Sequence, residues 1–416
     1  MILVRKRTVV FIGIGLAVLA FFTCFGTLIA ISSNNKLDLE GLSIDNFRMG
    51  LSYPPLKNDR QREFSRNHME KLNIDLVRTG ISWSYIEANK GHFTWSGFDK
   101  RMQFFKENNI DILLTIGSDG PEWNVDQKTP ESSTYRNVTA FEVFLRALFT
   151  RYADYDIHKI QFGNEWPNEY QFIGTAEQYV NYSNTVYSIA NETIPDTTYV
   201  LGGIATANLR IAAAYYNYTD FYRVGTNKTI LTGEDLDELL ASEFVKDGVA
   251  RVNYVLANAS YDELDLHFYD DFENWGTYVT MMNDLITGVP IIVSEFGGPN
   301  LSWEKYTRDY QAAHLKASIE TLDGIGIEEA YYFKITQGGA IPDHRKSCLV
   351  GSTVTIKPAY YVMQAFTAGS AQMNFIFYTE YSFVFVATVG VLYLSFILII
   401  GIVKKIRKKS PSKDNS

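Results

Sequence analysis

Eight short β-rich runs alternate with amphipathic helical stretches between residues 47 and 368, and polar residues gather at the C-terminal ends of those runs. A long uncharged segment lies at each end of the chain. Together these observations predict an α/β fold, a closed (β/α)8 barrel flanked by N- and C-terminal transmembrane helices.

The first element is a basic tail, residues 1–7, holding Arg5, Lys6 and Arg7. Residues 8–31, TVVFIGIGLAVLAFFTCFGTLIAI, carry no charge. This run exceeds the ~7–15-residue apolar core of a cleaved signal peptide, its alternative reading, and is long enough to cross a bilayer. A linker at 32–46 leads into the barrel region, 47–368. Its eight predicted strands are FRMGLSY (47–53), DLVRTGI (75–81), DILLTIG (111–117), HKIQFGN (158–164), TYVLGGI (198–204), LDLHFY (264–269), PIIVSEF (290–296) and EAYYFKI (329–335). Helical stretches separate them. Phe64, Met69 and Leu72 mark the first buried stripe, and Phe141, Phe144, Leu145, Leu148 and Tyr152 the third. The stretch YYNYTDFYRVGTNKTILTGEDLDELLASEF, between the fifth and sixth strands, reads as an insertion over the barrel mouth or as a decorated surface helix. KPAYYVMQAF, from Lys357, supplies the last helix, and 369–381 is a second linker. Residues 382–403, uncharged from Phe383 to Val403, form the second expected span, and the tail 404–416 opens with KKIRKK. Basic residues outside both spans place both termini in the cytoplasm and the barrel on the extracellular or lumenal side.

A doubly wound open sheet is the competing fold. No G-x-G-x-x-G follows the first strand, however, and polar residues recur at many strand ends instead of at one switch point.

Composition narrows the function classes. The chain of 416 residues is 46% hydrophobic and 20% charged, as folded proteins are. Without the basic tails, 29 basic residues face 46 acidic ones, and such a surface has no electrostatic footprint for nucleic acid. Cys24 lies in the first uncharged run and Cys348 is alone in the barrel region, so no intrachain disulfide staples it. Asn-x-Ser/Thr sequons begin at Asn137, Asn181, Asn191, Asn217, Asn227, Asn258 and Asn300, as suits an external glycoprotein.

The stretch QFGNEWPN (161–168) ends an apolar strand in an amide, a carboxylate and an indole. Glu165 therefore closes the fourth strand, and Glu295, in PIIVSEFGG, closes the seventh in the same way. In a barrel both carboxylates face one mouth. Cleaving a glycosidic bond needs a proton donor at the leaving oxygen and a second carboxylate to attack or stabilise the oxocarbenium-like transition state, which two such groups can supply. Arg78, on the second strand, is a permanent charge able to keep a neighbouring carboxylate ionised, though a surface ion pair is an equal reading of it. His267 and Tyr269 alternate on one face of the sixth strand and point to the interior or mouth, where His267 reads equally as a core histidine. Trp83, Trp123, Trp166 and Trp275 follow strand ends, where sugars meet aromatic platforms and where aromatics also simply pack.

The Asn-Glu ending strand four, the Glu ending strand seven and the Arg on strand two resemble clan A glycoside hydrolases. So do VRTGISWSYIEANKGHFTWSGFD (77–99), similar to the corresponding stretch of families 5, 39 and 42, and the closing KPAYY. The resemblance covers nearly the whole barrel region. It implies a retaining double displacement on a carbohydrate substrate, with Glu165 as acid/base, its pKa raised by partial burial, and Glu295 as an ionised nucleophile beside Arg78. It further implies that Asn164 donates to the sugar 2-hydroxyl, that Tyr269 hydrogen-bonds the nucleophile and that His267 lines the site; Trp166 and Trp123 are expected beside it as aromatic platforms. The chain departs from the family in two places. Phe333 stands where strand eight usually supplies a tryptophan, and the third strand ends TIGSDGPEW without a histidine beside its tryptophan.

Other chemistries lack their residues. The six histidines, at 68, 92, 158, 267, 314 and 344, never pair at metal-ligand spacing, and there is no G-x-S-x-G elbow or P-loop, so no metal or cofactor is expected. The expected function is retaining hydrolysis of β-linked O-glycosides. The alternatives are a weakly active or inactive carbohydrate-binding receptor on the same barrel, and a transglycosidase.

Overall fold

The computed structural model describes residues 39–155, 157–224, 229–298, 306–337, 346–351 and 355–369, together with Ile400. Residues of the barrel belong to one compact unit, Leu39–Ala371. The expected spans 8–31 and 382–403 lie outside the described residues, Ile400 apart. Among the described residues no helix is long and apolar enough to cross a membrane.

Twelve strands are described. They are β1 (Arg48–Ser52), β2 (Leu76–Ile81), β3 (Asp111–Ile116), β4 (Val125–Lys128), β5 (Ser133–Tyr135), β6 (Ile157–Phe162), β7 (Thr198–Ile204), β8 (Phe221–Arg223), β9 (Ile230–Thr232), β10 (Glu263–Phe268), β11 (Ile291–Phe296) and β12 (Glu329–Tyr332). Eight of them close a parallel barrel in the order β1-β12-β11-β10-β7-β6-β3-β2. These eight match the eight predicted runs to within a few residues. Their side chains are almost all buried, because helices cover the outside while the barrel fills its own interior.

The interior is layered, and strand alternation explains the layers. Lys159, Glu263 and Glu329 come first from the N-terminal end, with the Lys159 ammonium 2.8 and 2.6 Å from the two Glu263 oxygens and 3.5 Å from Glu329. An apolar layer of Leu76, Leu113, Val200, Ile292 and Tyr331 follows. Two residues beyond Leu76, Leu113 and Ile292 the same faces carry Arg78, Thr115 and Ser294, and β6 and β10 add Gln161, Asp265 and His267, which hydrogen-bond with them. The floor of the mouth is thus polar yet fully packed.

Outside, the helix Val138–Tyr152 buries Phe141, Phe144, Leu145, Leu148 and Tyr152, as its stripe predicts, whereas the helix Asp59–Leu72 buries Met69 and Leu72 and leaves Phe64 half-exposed. The helix Ala176–Thr193 starts on a capping box between Thr175 and Gln178, and Pro358 opens the helix Pro358–Ala368, where its missing N–H costs nothing. The insertion after the fifth barrel strand holds the hairpin β8–β9 and the helix Gly233–Ala241, before the longer helix Glu243–Asn258. A second hairpin, β4–β5, follows the third barrel strand. Of the seven sequon asparagines, Asn137, Asn181, Asn191, Asn217 and Asn258 are described, and all five are exposed.

Candidate active site

The site grows out of the polar layer. Arg78, fully buried on β2, fans its guanidinium over four partners. Nε donates to Thr115 Oγ1 at 3.0 Å and Gln161 Oε1 at 3.1 Å, Nη2 donates to Asn164 Oδ1 at 2.7 Å, and Nη1 pairs with Glu295 Oε1. Its charge lies 5.2 Å from the centre of the Tyr53 ring. The other Glu295 oxygen, Oε2, accepts from the Tyr269 hydroxyl at 2.7 Å. Both oxygens of this carboxylate are therefore held, one by a fixed cation.

Glu165 is held differently. The chain leaves β6 through Gly163 at φ 72° and Glu165 at φ 45°, a left-handed conformation uncommon for a residue with a side chain. This turn brings the Glu165 carboxylate to His267, whose Nδ1 lies 3.0 Å from Oε1. Oε2 has no hydrogen-bond partner among the described residues, and the side chain retains 21% exposure against 9% for Glu295. The same Nδ1 is 3.9 Å from Glu295 Oε2, which bounds the separation of the two carboxylate oxygens at roughly 7 Å; retaining pairs need ~5–5.5 Å and inverting pairs ~6.5–9.5 Å.

His267 sits fully buried opposite Glu295 in the β10–β11 register. Its Nε2 lies 3.1 Å from Ser294 Oγ and 3.3 Å from Asp265 Oδ2. Burial opposes a charge on this ring, but Glu295, Asp265 and Glu165 outweigh burial and push its pKa up to about 10. Burial likewise opposes ionisation of Asp265, yet His267, Arg78 and the Ser294 hydroxyl together hold its carboxyl below the ordinary range. An ionised aspartate beneath a protonated imidazole results, with both ring nitrogens donating. Gly203 on β7 makes room for it, since a Cβ there would lie 2.3 Å from His267 Nε2.

Of the nine residues singled out from the sequence, Glu165, Glu295, Arg78, Asn164, His267 and Tyr269 form one connected network. Phe333 joins its edge, with ring centroids 6.5 Å from Tyr53 and 6.2 Å from Tyr269, and the Phe333–Lys334 peptide is cis. One tryptophan needs correction. Trp166 is fully buried, donates to the Gly202 carbonyl at 2.7 Å and stacks on Tyr179, so it packs the barrel wall and offers no face to a sugar. Trp123, half-buried, donates to the Glu87 carbonyl and meets Trp83 edge-on beneath Lys90, outside the carboxylate network. Trp83 and Trp275 are fully buried as well. Sequence reasoning missed Thr115, Gln161, Asp265, Ser294 and Tyr53. Asp265 was within reach, because it shares a strand face with His267 and Tyr269. Among the described residues no cluster of His, Cys, Asp and Glu could hold a metal ion.

Residues 53–159, about a quarter of the chain, match the family model for glycoside hydrolase 42, described as β-galactosidase. No curated protein sequence matches. Solved structures share the fold. A family 39 glycoside hydrolase from Bacteroides cellulosilyticus WH2 has 13% identity and a TM-score of 0.55 over 80% of this chain and 65% of its own. The exo-β-1,4-mannosidase Op5Man5 from Opitutaceae bacterium strain TAV5 has 14% identity and a TM-score of 0.56 over 81% of this chain and 62% of its own. Xylanase B from Clostridium stercorarium F9 has 15% identity and a TM-score of 0.50 over 77% of this chain and 99% of its own. The chain thus spans less than two thirds of the length of the first two. At these identities the likeness is one of fold.

Proposed function

We propose that the protein is a retaining clan A glycosidase that cleaves β-linked O-glycosides with Glu295 as nucleophile and Glu165 as acid/base. One observation carries this reading: two carboxylates, held in unlike ways, share one histidine at the mouth of a closed barrel. Glu295, ionised against Arg78 and Tyr269, attacks the anomeric carbon as the bond to the leaving oxygen breaks and Glu165 gives that oxygen a proton. Water then adds at the anomeric carbon, passing a proton back to Glu165 and freeing Glu295. Asn164 accepts from Arg78 through Oδ1, which turns its amide N–H groups toward the cavity as donors for a sugar hydroxyl. Phe333 offers an apolar ring beside that position. The family-model match and the fold likeness to several glycosidases support the assignment.

The test is turnover of a panel of aryl β-glycosides by the full-length protein. Glu295→Gln keeps the volume and removes the nucleophile, so activity falls by a factor on the order of 10⁴. Glu165→Gln hurts alkyl and sugar leaving groups about 10²-fold or more, and nitrophenyl leaving groups far less, because these need little protonation. Wild-type rates in the first variant, or equal losses on both substrate types in the second, would overturn the roles.

The uncharged runs 8–31 and 382–403 and their basic flanks support a two-span tether with the barrel extracellular or lumenal. In sealed, right-side-out vesicles, added protease is expected to cut the barrel region and spare both tails; tails that are cut would refute this topology.

A further inference from the structure

Beside Phe333 the mouth carries a positive charge that the reaction does not use. Lys334 is half-buried, its ammonium 5.5 Å from the centre of the Phe333 ring, and that ammonium makes no hydrogen bond or ion pair among the described residues, although the backbone carbonyl accepts from Leu349 N–H. Burial depresses its pKa, and the charges that act back on it are those of Cys348 and Glu295. Glu295 already has Arg78 and Tyr269, so Lys334 is not needed to keep it ionised. Withdrawing an ammonium from water without an acceptor is unfavourable, and a ligand can supply what the protein does not.

The surroundings point the same way. Lys357, whose charge acts on Cys348, has two further cations near it, Arg308 and Lys346. Lys357 is buried and donates to Tyr306 Oη at 3.1 Å, to Gln311 Oε1 at 3.4 Å and to the Lys346 carbonyl. The ammonium groups of Lys346 and Lys357 lie 5.4 and 5.5 Å from the centre of the same Tyr306 ring. Arg308 Nη1 is buried without a hydrogen-bond partner, and its charge, with that of Lys346, adds to the burial that lowers the Lys357 pKa. None of the four cations is paired with a carboxylate among the described residues, in a barrel region whose overall balance is acidic. Positive charge without carboxylate partners, buried at Lys357 and exposed at Lys346, therefore gathers beyond the end of β12, with Lys334 next to the Phe333 ring.

We propose that the barrel mouth takes a glycoside bearing an anionic group, a uronic carboxylate or a sulfate ester, and that Lys334 receives this group while Arg308, Lys346 and Lys357 supply the field behind it. The proposal rests on the glycosidase reading and specifies its substrate class. A compact ammonium suits either oxyanion, and the surrounding cations favour both over a neutral hydroxymethyl group.

The experiment compares full-length protein on nitrophenyl β-glucuronide and β-galacturonide, on the 6-sulfated β-glucoside and β-galactoside, and on the neutral parents. The expected kcat/KM for at least one acidic series exceeds that for its neutral parent by about 10- to 100-fold at low salt, and the ratio shrinks as salt rises. Which acidic series leads distinguishes carboxylate from sulfate. Lys334→Gln is expected to collapse that ratio about tenfold or more, and Lys334→Arg to retain most of it. Neutral parents cleaved as well as acidic ones, or a ratio untouched by Lys334→Gln, would overturn the proposal. Calorimetric titration of Glu295→Gln with free glucuronate, glucose 6-sulfate and glucose gives a readout independent of turnover. If no aryl glycoside is cleaved, the hydrolase reading fails, while tighter binding of either anion than of glucose, lost on adding Lys334→Gln, still upholds the anion site; equal binding of all three ligands rejects it.

Discussion

At the scale of single residues, the division of labour between the two carboxylates follows from what holds each oxygen. A permanent guanidinium and a phenol occupy both oxygens of Glu295, whereas Glu165 is anchored by one oxygen to a histidine and keeps the other unclaimed among the described residues. The strand ends made these two acids legible in the sequence. What lies behind them was less so, because Gln161, Thr115 and Ser294 belong to residue types common on any surface, and only the closed barrel turns them inward. Trp166 misleads for a related reason. The left-handed turn at Glu165 reverses the direction of the next side chain, so an indole adjacent in sequence to the acid faces the wall. Gly203 gives the sharpest test of this packing. Its missing side chain leaves room for an imidazole fixed from both ends, so a methyl group there must displace His267. Gly203→Ala is expected to fold, with unchanged far-ultraviolet circular dichroism, and to lose about 100-fold in kcat/KM on aryl glycosides, since a 1 Å misplacement near the reacting groups costs that much. Wild-type kinetics would show that the ring's position is not critical.

Among the elements, the eight barrel strands were readable because each is a short apolar run that ends abruptly. The two hairpins were not. β4 exposes three of its four residues, and β8 and β9 are three residues each, so none carries a periodicity that separates a strand from a loop. The last predicted strand ran to residue 335, but ladder pairing stops at Tyr332, and the cis peptide follows directly. That early ending leaves Phe333 and Lys334 in the loop at the mouth. The double glycine of β7, silent in a sequence scan, is explained only by its neighbours: a Cβ at Gly202 would lie 2.5 Å from the Phe162 carbonyl oxygen, and one at Gly203 would strike His267.

For the whole molecule, the buried histidines make stability depend on pH in opposite directions. Burial holds His68 and His314 down at about 4, so between roughly pH 6.5 and 4 the unfolded chain binds protons that the native state refuses, and stability falls with falling pH. Asp270, pushed up to about 6 by burial, takes a proton in the native state over the lower part of that window and offsets one of the two. His267 acts the other way. With its pKa raised to about 10, its contribution is complete below about 6.5 and is lost as pH climbs toward 10. The urea midpoint, followed by tryptophan fluorescence, is therefore expected to peak near pH 6.5, and His314→Gln to flatten the acidic side. A midpoint still rising above pH 8 would mean that His267 is not stabilised as the cation. Cys348, fully buried and within the field of Lys357 and Lys334, has a different use. An alkylating reagent outside can mark this thiol only while the surrounding shell is open, so the slow gain of mass on its peptide is a built-in stopwatch for how often a resting molecule breathes.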